Sequence, residues 1–183
     1  MTIFNEFKEN IFRVLGGYMS LEAFAQWLYG NEVLSNMMMT NDSVLMAYEF
    51  NYGKPGAKYE FRAAFSGFFN DEFLLWKVKS NLSELIAGTS RADLIVSDFY
   101  KLGDQGYPWA YSIGYYEYLF DSGLYDYEDR DESMQDLKAE SRQLLSLIID
   151  QEKERANFKL SDFTFPARDE LAIKTKFTAN FWK

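Results

Sequence analysis

Apolar residues recur with a helical period through most of the chain. A first helix is predicted to end at Gly17. A second is predicted over 21–29, with Ser20 as its N-cap and Gly30 at the position where glycine commonly ends a helix. The apolar stripe of the first helix consists of Ile3, Phe7, Ile11 and Val14, and that of the second of Leu21, Phe24, Ala25 and Leu28.

The middle of the chain is predicted to be helical as well. Asn41 is expected to cap a short helix, and a Gly-Lys-Pro-Gly turn at 53–56 follows it. Two helices are predicted after that turn. The first is short and covers about 59–68, whereas the second is capped by Asn70 and ends at Gly88.

Two more helices are predicted from their start and stop signals. Ser90 and Asp93 approximate a capping box for a helix that Gly103 closes. Pro108 is suited to the first turn of another helix, which is expected to run to about Phe120.

The C-terminal third combines one long helix with a different pattern at its end. The longest element is predicted over 131–158, and the stretch 171–182 predicts a short strand or a docked terminal arm. The apolar period is 3.6 nearly throughout, and no repeat or long linker interrupts the chain. The predicted fold is therefore all-α, with a single domain over 1–183 built as a bundle of about six to eight helices.

The sequence contains neither histidine nor cysteine. This excludes Ser-His-Asp and Cys-His nucleophile systems, histidine or thiolate zinc sites, and redox cysteine pairs. Carboxylate, lysine, tyrosine and hydroxyl groups remain available for catalysis. The composition thus favours a binding protein over an enzyme, and no cofactor is predicted.

The chain carries a net charge of −9, which bears on its partners and location. Such a surface repels nucleic acid and anionic membranes and attracts a basic partner. The N-terminal residues 1–6 lack the basic and apolar regions of a signal peptide, and no apolar run approaches the roughly 20 residues needed to span a bilayer. A cytoplasmic protein without nucleic-acid or membrane partners is predicted.

The segment 109–132 combines aromatic and acidic residues at high density. Seven acids against Arg130 give its last sixteen residues a net charge of −6. Tyrosine and tryptophan dominate interface hot spots, and interleaved carboxylates suit a basic protein surface. Alternatively, the aromatic rings belong to the core and the acids form a solvated loop before the long helix. The residues predicted to contact a partner are Glu117, Asp121, Tyr125, Asp126, Tyr127, Glu128 and Asp129.

Other chemistry in the sequence is less specific. Residues 129–133 offer oxygen ligands, but no frame from 121 to 136 fits the calcium loop of an EF-hand, so no metal site is predicted. The turns at 53–56 and 103–106 do not match a phosphate-binding loop. Paired carboxylates for hydrolysis occur in every acidic protein, and nothing places two of them in a cleft.

Two stretches carry a resemblance to a known group of proteins. Residues 20–29 read Ser-Leu-Glu-Ala-Phe-Ala-Gln-Trp-Leu-Tyr, with Glu32 and Leu34 after them, and residues 99–102 read Phe-Tyr-Lys-Leu before Gly106 and Tyr107. This resembles bacterial immunity proteins encoded beside secreted polymorphic toxins. The resemblance covers about a third of the chain, and Ala25 stands where that group usually has glutamate. It implies structural roles for the matching residues Phe24, Trp27, Tyr29 and Tyr107.

The resemblance and the acidic aromatic segment together suggest a function. They imply an immunity protein that neutralises a cognate toxin domain by stoichiometric occlusion. A nuclease toxin suits the charge best, because its substrate-binding face must be basic. The alternatives are a regulatory or adaptor module with a different protein partner and a small carboxylate-dependent hydrolase.

Overall fold

The computed structural model describes residues 2–117 and 127–166, with only the backbone described for 127–130. The fold is all-α, as predicted, and no strand occurs in the described residues. Eight α-helices are bounded there: α1 Ile3–Gly16, α2 Leu21–Tyr29, α3 Glu32–Met37, α4 Asp42–Glu49, α5 Ala57–Ala87, α6 Ala92–Asp104, α7 Tyr111–Gly114 and α8 Tyr127–Glu154. Two short 3₁₀ helices cover Pro108–Ala110 and Leu160–Asp162.

The helix caps predicted near the N-terminus are present. Ser20 accepts a hydrogen bond at its Oγ from the Ala23 amide at 3.1 Å, and Asn41 accepts at its Oδ1 from two amides at the start of α4. Gly17 adopts a left-handed conformation with φ of 82° and ends α1. Gly30 occupies the C-cap position of α2 but keeps a right-handed helical conformation. Helix α3 lies in a region where the sequence predicted no helix.

The two helices predicted after the turn at 53–56 are present and meet at a kink within the helical span α5. Because that kink divides α5, the 28-residue α8 is the longest uninterrupted helix among the described residues, as predicted. Phe69 alone departs from helical geometry within α5, with φ of −131° and ψ of 25°. The boundary predicted at Asn70 is therefore confirmed to within one residue, because helical geometry breaks at Phe69 and resumes after it.

The predicted start and end of α6 are both wrong. Arg91 occupies the N-cap position in place of Ser90, and its amide donates to the Thr89 hydroxyl at 3.1 Å. Gly103 is buried inside the helix, and the chain turns at Gly106, where φ is 98°. Gly106 tolerates this positive φ because it has no Cβ.

The helix predicted from Pro108 to Phe120 is interrupted. Pro108 begins a 3₁₀ turn, and the four-residue α7 that follows ends before Tyr115. The predicted C-terminal strand or arm at 171–182 lies outside the described residues.

The chain divides into two compact units, Met1–Lys77 and Val78–Lys183. The single domain predicted over 1–183 stays a prediction. None of the described helices has the length and apolarity needed to cross a membrane.

Unit 1 has a core rich in phenylalanine. The Arg62 guanidinium donates to the backbone oxygen of Leu15 at 2.7 Å and so ties α5 to the end of α1. The buried aromatic residues of this core are Phe7, Phe12, Phe24, Phe61, Phe65 and Phe69. In unit 2 the buried apolar residues come from every helix of the unit that is described, among them Leu82, Leu85, Ile95, Phe99, Ile113, Leu144 and Ile148.

Candidate functional site

Two glycines allow α6 and α7 to pack closely. A Cβ atom at Gly114 would lie 2.6 Å from both the N and Cα atoms of Tyr100, and one at Gly103 would lie 2.5 Å from the ring of Tyr111. Real Cβ contacts are almost never this short. The backbone of Tyr100 cannot move aside, so Gly114 requires glycine at this spacing, whereas a Cβ at Gly103 would require the Tyr111 ring to shift. The close approach brings tyrosines from the two helices together.

Tyr100, Tyr111 and Tyr115 form a contiguous patch of aromatic rings. The centroid of Tyr100 lies 5.4 Å from that of Tyr111 and 5.9 Å from that of Tyr115, and Tyr111 and Tyr115 are 5.3 Å apart. All three side chains are half-buried. Each ring therefore packs on its neighbours and also presents surface to solvent.

An acidic group is fixed at the edge of this patch. The hydroxyl of Tyr111 donates to Oδ1 of Asp104 at 2.6 Å, and Asp104 is exposed. Asp93, also exposed, lies on the same face of α6, because it precedes Tyr100 by seven residues and Asp104 by eleven. We call Tyr100, Asp104, Tyr111 and Tyr115 the tyrosine–aspartate surface.

The aromatic residues of the acidic segment 109–132 differ in how deeply they are buried. Trp109 is 6% exposed and packs edge-on against Phe163 at 5.2 Å, and Tyr116 is fully buried. For these two residues the interpretation as core is correct. Tyr111 and Tyr115 belong to the tyrosine–aspartate surface, so the segment contributes residues to the core and to this surface.

The predicted partner-binding residues are described only in part. Glu117 is half-buried and follows Tyr115 by two residues. Three others, Asp121, Tyr125 and Asp126, lie outside the described residues. The backbone of Tyr127, Glu128 and Asp129 forms the first turn of α8, and their side chains lie outside the described part. That these seven residues share one face stays a prediction.

None of the four residues of the surface was among the predicted partner-binding residues, although Tyr111 and Tyr115 belong to the acidic aromatic segment that was singled out. Tyr100 and Asp104 lie outside that segment altogether. They precede the acidic segment in the sequence. The seven- and eleven-residue spacing of Tyr100 and Asp104 from Asp93 is a signal in the sequence that could have indicated this face of the helix.

A second cluster of tyrosines lies in unit 1. The ring of Tyr29 is 5.7 Å from that of Tyr48 and 6.1 Å from that of Tyr52, and all three hydroxyls donate to backbone oxygens. Burial raises the pKa of the Tyr52 hydroxyl. We call Tyr29, Tyr48 and Tyr52 the unit 1 tyrosine cluster. Its bonds join helix ends, which fits the structural role expected for Tyr29.

Unit 2 also buries a carboxyl group. Glu140 on α8 is 3% exposed, and its carboxyl group lies near the Tyr116 hydroxyl without a well-formed hydrogen bond to it. Burial raises the pKa of Glu140 to about 8, although the nearby Tyr116 hydroxyl lowers it; the charge of Asp136 raises it further. The carboxyl group therefore keeps its proton at neutral pH, and a neutral acid is far cheaper to bury than a carboxylate.

Within the described residues, no three acidic side chains are grouped closely enough to hold a metal ion. The sequence matches no protein-family model, and no curated protein or solved structure is similar to it. The candidate site is therefore characterised by its own geometry, which combines aromatic area with negative charge.

Proposed function

We propose that this chain is an immunity protein that binds and neutralises one cognate toxin domain in the cytoplasm of the producing cell. The observation that carries the proposal is the tyrosine–aspartate surface. It combines three half-buried tyrosine rings with a fixed carboxylate, outside the helix-end bonding that occupies the unit 1 tyrosine cluster. The resemblance of residues 20–34 and 99–107 to immunity proteins supports the same function.

The proposed mechanism is occlusion without chemistry. Tyrosines provide a large contact area at a low cost in side-chain entropy, because each has only two side-chain torsions to fix. Packing of Tyr100, Tyr111 and Tyr115 against one another already restricts those torsions before binding. The rings therefore act as anchors that slow dissociation.

Charge determines the kind of toxin and the speed of association. The net charge of −9 steers the protein toward a basic surface, and rates of association rise through such steering. A nuclease domain is the toxin class that suits it best, because the face that binds nucleic acid is basic. Occlusion of that face would block the toxin's access to its substrate.

Co-expression tests this proposal. The C-terminal domain encoded by the gene immediately upstream is expressed under tight control, with or without this chain. We expect the domain to arrest growth, the chain to restore it, and the two to purify as a 1:1 complex. The double variant Tyr100→Ala/Tyr111→Ala should lose rescue, whereas Tyr59→Ala, at an 80% exposed tyrosine of unit 1, should retain it.

Two outcomes would count against the proposal. A domain that is not toxic, or one whose toxicity this chain neither relieves nor binds, would favour an adaptor module with a different partner. Full rescue by the double variant would move the contact face away from the tyrosine–aspartate surface. Circular dichroism of each variant shows whether a loss of rescue reflects binding or unfolding.

A further inference from the structure

We propose that the hairpin of α3 and α4 in unit 1 is a docking surface for a basic amphipathic helix of a protein partner. The surface presents exposed apolar side chains beside exposed carboxylates. It consists of Val33, Met39 and Leu45 with the acids Glu32, Asp42 and Glu49, and we call it the α3–α4 surface. The proposal goes beyond the immunity function and does not rest on it.

Exposed apolar side chains are concentrated in this hairpin. Half of the large hydrophobic side chains that are exposed among the described residues lie within 29–45, namely Tyr29, Val33, Met39 and Leu45. Met39 is 91% exposed and Val33 is 57% exposed, so the core of unit 1 uses neither. Single exposed apolar side chains are ordinary, but a concentration of them is typical of an interaction site. Methionine suits such a site because its flexible side chain adapts to a ligand.

The two helices bring these side chains to one level of the hairpin. The Tyr48 hydroxyl donates to the backbone oxygen of Asn31 at 3.1 Å, so the end of α4 lies beside the start of α3. Residues 38–41 join the other two ends, and the helices therefore run antiparallel. From that contact Val33 is two residues along α3 and Leu45 is three residues back along α4, which is about 3 and 4.5 Å at the helical rise. The two exposed side chains can therefore contact one face of a ligand.

The charge of this region has one sign. No lysine or arginine occurs in residues 14–53, whereas four acids lie there. Glu32, Asp42 and Glu49 are exposed, and within the described part of the chain none of the three forms an ion pair. Asp42 and Glu49 lie one turn to either side of Leu45 on α4, and Glu32 lies in the first turn of α3. A ligand that covers the apolar side chains therefore meets carboxylates on its flanks and needs basic residues there.

The backbone of the ligand favours a helix. The backbone groups of α3 and α4 are bonded within those helices, and no strand edge is present among the described residues. A bound segment must therefore satisfy its own N–H and C=O groups, as a helix does. Its apolar residues at every third or fourth position would face Val33 and Leu45, and its basic residues would face the acids. The same acids repel nucleic acid and anionic membranes.

Peptide binding to the full chain tests the proposal. The probe is a helical peptide of about 18 residues, made of leucine and lysine with every leucine on one face, and calorimetry measures its affinity. A scrambled peptide of the same composition keeps the charge without the apolar face, and a leucine–glutamate peptide keeps the face with the opposite charge. We expect the leucine–lysine helix to bind at least about tenfold tighter than either.

Two double variants separate the apolar contribution from the charged one. Val33→Thr/Leu45→Gln keeps the net charge and removes apolar contact, so it should weaken binding of the leucine–lysine helix about tenfold. Glu32→Gln/Glu49→Gln should weaken the same binding about fivefold at low salt and make it less dependent on salt concentration.

Matched controls distinguish this surface from general attraction to an acidic protein. Leu94→Gln replaces a 66% exposed leucine of α6, and Glu9→Gln/Glu154→Gln removes two exposed acids elsewhere. Each control should change the affinity by less than about twofold. Thermal melts show that each variant is folded.

Four results would overturn the proposal. They are equal affinities of the helical and scrambled peptides, equal affinities of the lysine and glutamate peptides, no measurable binding of the leucine–lysine helix, and an affinity that survives Val33→Thr/Leu45→Gln. Self-association of the chain that this variant abolishes would overturn it as well, because the surface would then belong to a second copy.

Discussion

The two tyrosine clusters of this protein use the same rings at similar spacing for different purposes. In the unit 1 tyrosine cluster, the hydroxyl of Tyr48 donates to two backbone oxygens, those of Leu28 and Asn31, at 2.8 and 3.1 Å. In the tyrosine–aspartate surface, the hydroxyl of Tyr111 donates to a carboxylate at 2.6 Å. The first arrangement joins the end of one helix to another, and the second fixes a charged group at the surface.

The two clusters therefore differ in the kind of oxygen that accepts the tyrosine hydroxyl. A backbone oxygen at a helix end is part of the fold, and a bond to it stabilises the folded state. A carboxylate on an exposed residue contributes little to stability but offers charge to a partner. Ring contacts alone would not separate the two clusters, because the centroid distances overlap.

The largest expected effect concerns the packing that builds the tyrosine–aspartate surface. Gly114→Ala would place a methyl group 2.6 Å from the backbone of Tyr100, and backbone atoms cannot move aside as a side chain can. We expect a loss of about 3 kcal/mol in the free energy of unfolding, at the upper end of what overpacking costs. Chemical denaturation monitored by circular dichroism measures this loss.

Gly67→Ala is the matched control for that substitution. Gly67 also lies in a helix, but a Cβ atom there would meet nothing within 4 Å. Alanine should stabilise α5 by about 0.5–1 kcal/mol through its higher helix propensity. Equal effects of the two substitutions would show that α6 and α7 do not pack as closely as the structure indicates.

The next effect distinguishes the buried polar groups of the two units. In unit 1 the buried hydroxyl of Ser43 donates to Asn41 at 2.7 Å, whereas in unit 2 the carboxyl of Glu140 is buried near the Tyr116 hydroxyl without a well-formed hydrogen bond. Glu140→Gln should therefore change how stability depends on pH. The wild-type protein should lose about 2 kcal/mol relative to this variant between pH 5 and pH 8.

The sign follows from the raised pKa of Glu140. Burial moves this pKa from the ordinary value of 4.5 to about 8, so the folded state binds more protons than the unfolded state within that window. The contribution of Glu140 to the free energy of unfolding is fully present below pH 4.5 and is lost as the pH rises through 8. The limiting slope of this loss is about 1.4 kcal/mol per pH unit. The expected loss of stability is kept to about 2 kcal/mol because the surrounding protein can rearrange around the charged carboxylate. Parallel stability curves for the two proteins would contradict the assignment.

Much of the fold was predictable from the sequence because most helix signals are local. Ser20 and Asn41 cap the helices that they were expected to cap, since an N-cap depends only on the next three residues. Gly103 misled the prediction for a tertiary reason. It looked like a helix end, but it is buried within α6 because the ring of Tyr111 occupies the space of its Cβ.

The candidate site was predictable only in part. Helix α7 has four residues, too few for an apolar period to show which face is buried. The sequence could therefore not separate Trp109 and Tyr116, which are buried, from Tyr111 and Tyr115, which lie at the surface. Tyr100 joins that surface through the close approach at Gly114, a contact that only the folded structure defines.

The smallest expected effect tests the comparison of the two clusters most directly. Tyr48→Phe removes a hydroxyl that donates to two backbone oxygens in a half-buried position, and should cost about 1 kcal/mol of stability. Tyr111→Phe removes a hydroxyl bonded to an exposed carboxylate, and should cost less than about 0.5 kcal/mol.

The two substitutions should have the opposite order in binding. Tyr48→Phe should leave the affinity for the cognate toxin domain unchanged, because its hydroxyl faces backbone oxygens within unit 1. Tyr111→Phe should lower that affinity, since Asp104 loses the bond that fixes its carboxylate. Denaturation and calorimetry on the same two proteins measure both quantities. If one substitution dominated both stability and binding, the acceptor of the hydroxyl would not distinguish a structural tyrosine from a recognition tyrosine in this chain.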